Sequence, residues 1–141
     1  QHIELARDCG SRIVFGSAGM AESVLACLAD GGAEVGIVVD ADSGPLQSYE
    51  DWLASSSSER CDHGSAGSDV CIQAYTSGST GHPKGVLLSH RGLLLNAQLQ
   101  AESNRIDENS RVLLSTPLFH MNATGAGLLP CLIQGGSVVI L

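Results

Sequence analysis

VCIQAYTSGSTGHPKGVLLSHRGLLLNAQLQA, residues 70–101, is the stretch on which the fold turns. It opens with an apolar run, 70–75, that reads as a buried strand. It closes with a helical pattern over 89–101. Between them lies a turn crowded with Gly, Ser and Thr, which cannot sustain either element. A strand that gives way to such a turn and then to a helix is the repeating unit of an α/β layer.

The same alternation extends in both directions. Residues 2–8 read as a helix closed by Gly10, which tolerates the left-handed conformation of a helix stop. A strand is expected at 12–15, a helix at 20–28 with Met20, Val24 and Leu28 on one face, and a strand at 34–39 apolar enough to be buried on both faces. Ser48 reads as the cap of a short helix, with Glu50 and Asp51 in its first turn and Tyr49, Trp52 and Leu53 together on one side. The polar, serine-rich stretch 55–68 reads as a solvated loop. Further on, 111–115 is expected as a strand, 123–134 as a helix despite Pro130, and 137–141 as a final strand. The fold class expected is α/β, a largely parallel sheet with flanking helices. The chain opens within a helical pattern and closes on Val138, Val139, Ile140 and Leu141. Residues 1–141 are therefore expected to be a fragment of a larger domain.

Composition narrows the function. With only 7 Lys and Arg against 15 Asp and Glu, and a net charge of −8, the chain lacks the basic surface that a nucleic-acid backbone requires. No apolar stretch is long enough to span a bilayer. The 5 cysteines include no CxxC pair and leave one unpaired in any disulfide scheme, which suits a reducing, cytoplasmic setting. Cys27, Cys71 and Cys131 fall in apolar runs and are expected to pack as small hydrophobes.

The chemistry concentrates in YTSGSTGHPKGV, residues 75–86. Thr76, Ser77, Ser79 and Thr80 place hydroxyls around Gly78, with Gly81 behind them. Glycines let a backbone bend around an anion so that its N–H groups converge. Pro83 stiffens the turn and holds His82 extended, so that Lys84 leaves from a fixed direction. Its ammonium is a point charge suited to phosphate oxygens. A flexible Gly/Ser linker such as 55–68 has no comparable Pro-Lys-Gly ending. Nor is this a Walker A loop, because Gly85, not Ser or Thr, follows the lysine.

At these positions the chain resembles the adenylate-forming superfamily of acyl-CoA synthetases, luciferases and amino-acid adenylation domains. The signature [ST]-S-G-[ST]-T-G-x-P-K-G is matched at every position from 76 to 85. The likeness continues through Leu88, Ser89, His90, Arg91 and Asn96, and again at PLFHMNATG, residues 117–125. It implies activation of a carboxylic acid by ATP as an acyl-adenylate, with pyrophosphate released, followed by transfer to the thiol of CoA. Thr76, Ser77, Gly78, Ser79, Thr80, Gly81 and Lys84 would then hold the β- and γ-phosphates. Thr80, Lys84 and His120 would be the catalytic residues, His120 lying beside the carboxylate pocket. Phe119, Met121 and Asn122 would line that pocket or pack in the core. Magnesium would be bound through phosphate oxygens, with no protein metal site. His63, His82 and His90 carry no assigned role.

Other parts of that superfamily's pattern do not occur. There is no Tyr-Gly-x-Thr-Glu segment, no Thr-Gly-Asp segment, and no C-terminal domain with its lysine. Residues 1–141 thus resemble part of the N-terminal domain, expected to be inactive alone, and oligomeric state is not legible. Two alternatives remain at this point: an amino-acid adenylation domain of a peptide synthetase, or a nucleotide-binding module without turnover.

Overall fold

The computed structural model describes residues 1–40, 44–62, 64–76 and 82–141. They group into two units, the first built from residues up to 62 together with 82–85, the second from 64–76 and 86–141.

The first unit begins with α1 (His2–Cys9), whose end is set by Gly10 at φ 62°. The left-handed turn returns the Gly10 and Ser11 N–H groups to the Arg7 and Ala6 carbonyls. Strand β1 (Ile13–Gly16), helix α2 (Ala21–Asp30) and strand β2 (Val35–Val38) follow, preceded at α2 by a single 3₁₀ turn. β1 and β2 run parallel, with Ile13 opposite Val35 and Gly16 opposite Val38. A two-residue strand β3 (Gln47–Ser48) adds to β2, also parallel, and had no visible signal because two residues show no periodicity. Val24, Val38 and Leu46 form one buried cluster, and Ala6, Cys27 and Ala33 another, with Val14 and Leu28 packed against both. The expected burial of 34–39 on both faces holds for its central residues, as Gly36, Ile37 and Val38 are all buried.

Helix α3 (Tyr49–Ser55) starts as its sequence predicts. The Ser48 hydroxyl accepts from the Asp51 N–H at 3.1 Å. Its Trp52 ring lies edge-on to Phe15, centroids 5.5 Å apart, and tilted against Tyr49 at 6.0 Å.

On the surface, the Arg12 guanidinium forks onto Glu34, donating to its two oxygens at 2.9 and 2.7 Å. These hydrogen bonds first, and the charge of Arg12 second, hold the Glu34 carboxyl below its usual range. A depressed carboxylate contributes stability above its unfolded pKa and loses it as pH falls through the folded one. The advantage of the wild type over Glu34→Gln should therefore be small at neutral pH, since both groups are exposed, and vanish in acid. Melting temperature against pH checks this.

The strand β4 (Val70–Thr76) pairs with β5 (Lys84–Ser89), of which residues 86–89 belong to the second unit. The long helix α4 (His90–Asn104) follows, its start fixed by the Ser89 hydroxyl, which accepts from the Gly92 N–H at 3.2 Å. Strands β6 (Arg111–Leu114) and β7 (Ser137–Ile140) run parallel, with Arg111 opposite Ser137 and Leu114 opposite Ile140. One continuous helical run joins them: α5 (Met121–Ala123), a π-helical turn (Thr124–Leu128) and α6 (Leu129–Ile133).

Two expectations need correction here. Residues 70–75 do form a strand, but Val70 and Cys71 are exposed, so Cys71 is not a core residue like Cys27 and Cys131. Lys84 does not lead directly into a helix. It opens β5, because Val86, Leu87 and Leu88 find a pairing partner in β4 that no local pattern announces.

α4 ends on Arg105 in the left-handed conformation, φ 55° and ψ 41°. A side chain there crowds the neighbouring carbonyl, which glycine avoids. Arg105→Gly should stabilise the protein by roughly 0.5–1 kcal/mol, read as a higher denaturation midpoint.

Candidate functional site

In sequence, the hydroxyl- and glycine-rich stretch follows one strand and precedes another. Thr76 is the last residue of β4 and Lys84 the first of β5, and both are exposed. Ser77, Gly78, Ser79, Thr80 and Gly81 lie outside the described residues. Pro83 is half-buried just ahead of Lys84. Its fixed φ and missing N–H suit the residue that leads into a strand.

The segment after β6 is built differently. The His120 N–H donates to the Pro117 carbonyl at 3.0 Å, and the His120 carbonyl accepts from Ala123 at 3.0 Å. That tight turn places His120 immediately before α5, with its exposed ring 4.7 Å from that of Phe119. Phe119 is 82% exposed, which rules out core packing for it. Met121 is half-buried and Asn122 exposed.

A cleft of about 240 Å³ opens at the carboxyl end of β6, between Leu114, Ser115 and Thr116 on the strand side and Asn122, Ala126 and Gly127 on the helix. Of the residues singled out from the sequence, Asn122 lines it and His120 does not. Carboxyl ends of parallel strands are where α/β folds bind ligands. Ser115, Thr116, Ala126 and Gly127 were not singled out, although their position just after a parallel strand is the signal that marks them. A Cβ at Gly127 would collide with the Leu114 Cδ2. A second cleft, of about 210 Å³, lies between α1, β1 and α2 and is mainly apolar. None of the candidate site residues lines it.

Among the described residues no three His, Cys, Asp or Glu side chains come together as a metal site would require. Among the same residues, no helix is long and apolar enough to cross a membrane.

Parallel strands joined by helices define an α/β protein. The chain belongs to the AMP-binding enzyme family, whose model matches residues 3–141. It is 43% identical over 72 residues to a feruloyl-CoA synthase of Amycolatopsis sp, a match covering 51% of this chain and 15% of that protein. It is 34% identical over 70 residues to the human mitochondrial medium-chain acyl-CoA ligase ACSF2, covering 47% and 11% respectively. Among solved structures it superposes on the anthranilate CoA ligase AuaEII bound to anthranoyl-AMP with a TM-score of 0.88 at 24% identity, covering 99% of this chain and 27% of that one. A long-chain-fatty-acid-CoA ligase of Archaeoglobus fulgidus gives a TM-score of 0.81 at 26% identity, with coverage of 98% and 27%. The chain thus spans about a quarter of the length of these structures.

Proposed function

We propose that residues 1–141 form part of the N-terminal domain of an ATP-dependent acyl-CoA synthetase. A carboxylate oxygen of the acid attacks the α-phosphorus of ATP, the bond to the β-phosphate oxygen breaks, and pyrophosphate leaves. The thiolate of CoA then attacks the acyl carbonyl and AMP departs. The observation that carries this reading is the unbroken Thr-Ser-Gly-Ser-Thr-Gly-His-Pro-Lys-Gly run at 76–85, set between β4 and β5 in a chain of the AMP-binding family.

In this reading Thr76, Ser77, Gly78, Ser79, Thr80, Gly81 and Lys84 grip the β- and γ-phosphates. That grip holds the leaving group in line and offsets its growing charge. The donor set is hydroxyls, backbone N–H groups and an ammonium, which suits phosphate oxygens rather than a metal ion. Magnesium fits here as a companion of the nucleotide, held by phosphate oxygens. His120, exposed at the start of α5, stands beside the acid, a fatty or other organic acid. Its partner Phe119 offers an apolar ring to the acyl group. A reducing, cytoplasmic setting accords with cysteines that include no CxxC pair and leave one unpaired in any disulfide scheme.

Carboxylate-dependent ATP–pyrophosphate exchange by the full-length protein tests the reading, with fatty, aryl and amino acids offered in turn. Exchange with a fatty or aryl acid, followed by thioester formation with CoA, is expected. Residues 1–141 alone should give none. ATP binding by the full-length protein without exchange on any acid would leave only a nucleotide-binding module.

A further inference from the structure

The helical run from 121 to 133 is wider in its middle than an α-helix, and a proline is the cause. At the π-helical turn the Leu129 N–H reaches back five residues to the Thr124 carbonyl. The next residue is Pro130, fully buried. A proline inside a helix has no N–H to donate, and its ring collides with the carbonyl four residues earlier, here that of Ala126. Widening the preceding turn by one residue removes that collision without breaking the helix. Gly125 and Gly127, both within this turn, leave room for it.

The extra residue has a consequence at the cleft. In an α-helix one residue corresponds to about 100° of rotation and about 1.5 Å of rise. The carboxyl side of the run is fixed: Cys131 is fully buried, its thiol donates to the Ser137 carbonyl at 3.1 Å, and its carbonyl accepts from Gly136 at 3.0 Å. The amino side ends in exposed residues, among them Asn122 and His120. Loss of the widened turn would therefore be absorbed at the amino side, turning Asn122 away from the strand and carrying His120 with it.

We propose that Pro130 is a positioning residue for the acid: by holding the widened turn it sets Asn122 and Ala126 against Leu114, Ser115 and Thr116, and so shapes the cleft at the end of β6. The cleft receives the acid's side chain, a step that rests on the synthetase reading above. At about 240 Å³ it exceeds the ~150 Å³ cavity that admits a benzene ring. Its rim carries two hydroxyls and a carboxamide from Ser115, Thr116 and Asn122, which suits a compact acid bearing a polar substituent.

The test compares Pro130→Ala with Ala101→Gly in the full-length protein. The second variant weakens α4 at a buried position of the same unit and leaves the run 121–133 unchanged in sequence. A crystal structure of Pro130→Ala should show a continuous α-helix, in which the amide N–H gained at position 130 donates to the Ala126 carbonyl. Its kcat/KM ratio between a hydroxyaryl acid and an unsubstituted alkyl acid should change by about tenfold or more, with KM for ATP within about twofold of wild type. Ala101→Gly should lower the melting temperature without changing that ratio. A retained π turn in Pro130→Ala overturns the backbone claim. An unchanged acid ratio despite a straightened helix overturns the positioning role. If the wild-type protein activates no acid at all, the synthetase reading fails and the acid role with it, while the Pro130→Ala structure still decides the backbone claim alone.

Discussion

On the proposed function, replacing Lys84 by alanine in the full-length protein should lower acid-dependent ATP–pyrophosphate exchange by about 10²–10³-fold in kcat. That is the loss of roughly 3–4 kcal/mol typical of one preorganised group facing developing charge. Lys84 is the only basic residue in the 75–86 stretch besides His82. It is launched from a strand whose direction is fixed by pairing with β4 and by the preceding Pro83. If its role were simple attraction of ATP, KM for ATP would rise with kcat unchanged. If it meets the leaving pyrophosphate, kcat and kcat/KM fall together. Lys84→Arg should recover part of the loss, because charge is kept while the compact ammonium is replaced by a planar fork. Exchange kinetics at saturating acid separate these outcomes. Wild-type rates in Lys84→Ala would remove the lysine from the mechanism.

Truncating Ile37 to alanine should cost about 2–5 kcal/mol in the first unit. Ile37 lies in β2, which is hydrogen-bonded on both sides, to β1 and to β3, and its side chain is 0% exposed. The neighbouring Gly36 shows how closely the helical face is packed: a Cβ there would fall 2.7 Å from the Val24 Cγ1 and 2.9 Å from the Leu46 Cδ2. Ile37, the next residue along the strand, faces the opposite side of the sheet, and its complete burial there means that truncation leaves a cavity. Amide exchange in β1 and β2 of the full-length protein should therefore quicken by about 30- to 4,000-fold, the same energy expressed as an opening equilibrium. Unchanged exchange would show that β2 opens independently of its side-chain packing.

Both predictions concern residues whose surroundings were partly legible in the sequence. The apolar run at 34–39 announced a buried strand, and Ile37 sits at its centre. Ser48 announced its helix, because a cap is a local hydrogen bond between a hydroxyl and an N–H two or three residues ahead. Gly10 announced the end of α1 in the same way. What failed was of another kind. The exposure of Cys71 and of Phe119 depends on what lies across from them, and β3 exists only because β2 offers an edge. β5 was missed because its six residues look like a lead-in to α4 until β4 supplies the pairing.

The sequence by itself determined the α/β alternation, the stop at Gly10 and the cap at Ser48, since each rests on local chemistry or on spacing along the chain. It also determined that a proline would fall inside the helix at 123–134. Tertiary structure alone decided how that helix absorbs the proline, where its cleft opens and which side chains reach it. Those outcomes depend on packing against β6 and β7, where Leu114 meets Gly127 and Cys131 meets Ser137 across gaps of 13 and 6 residues in sequence. No period or cap encodes such contacts, because their energy comes from surfaces that meet only when the chain has folded.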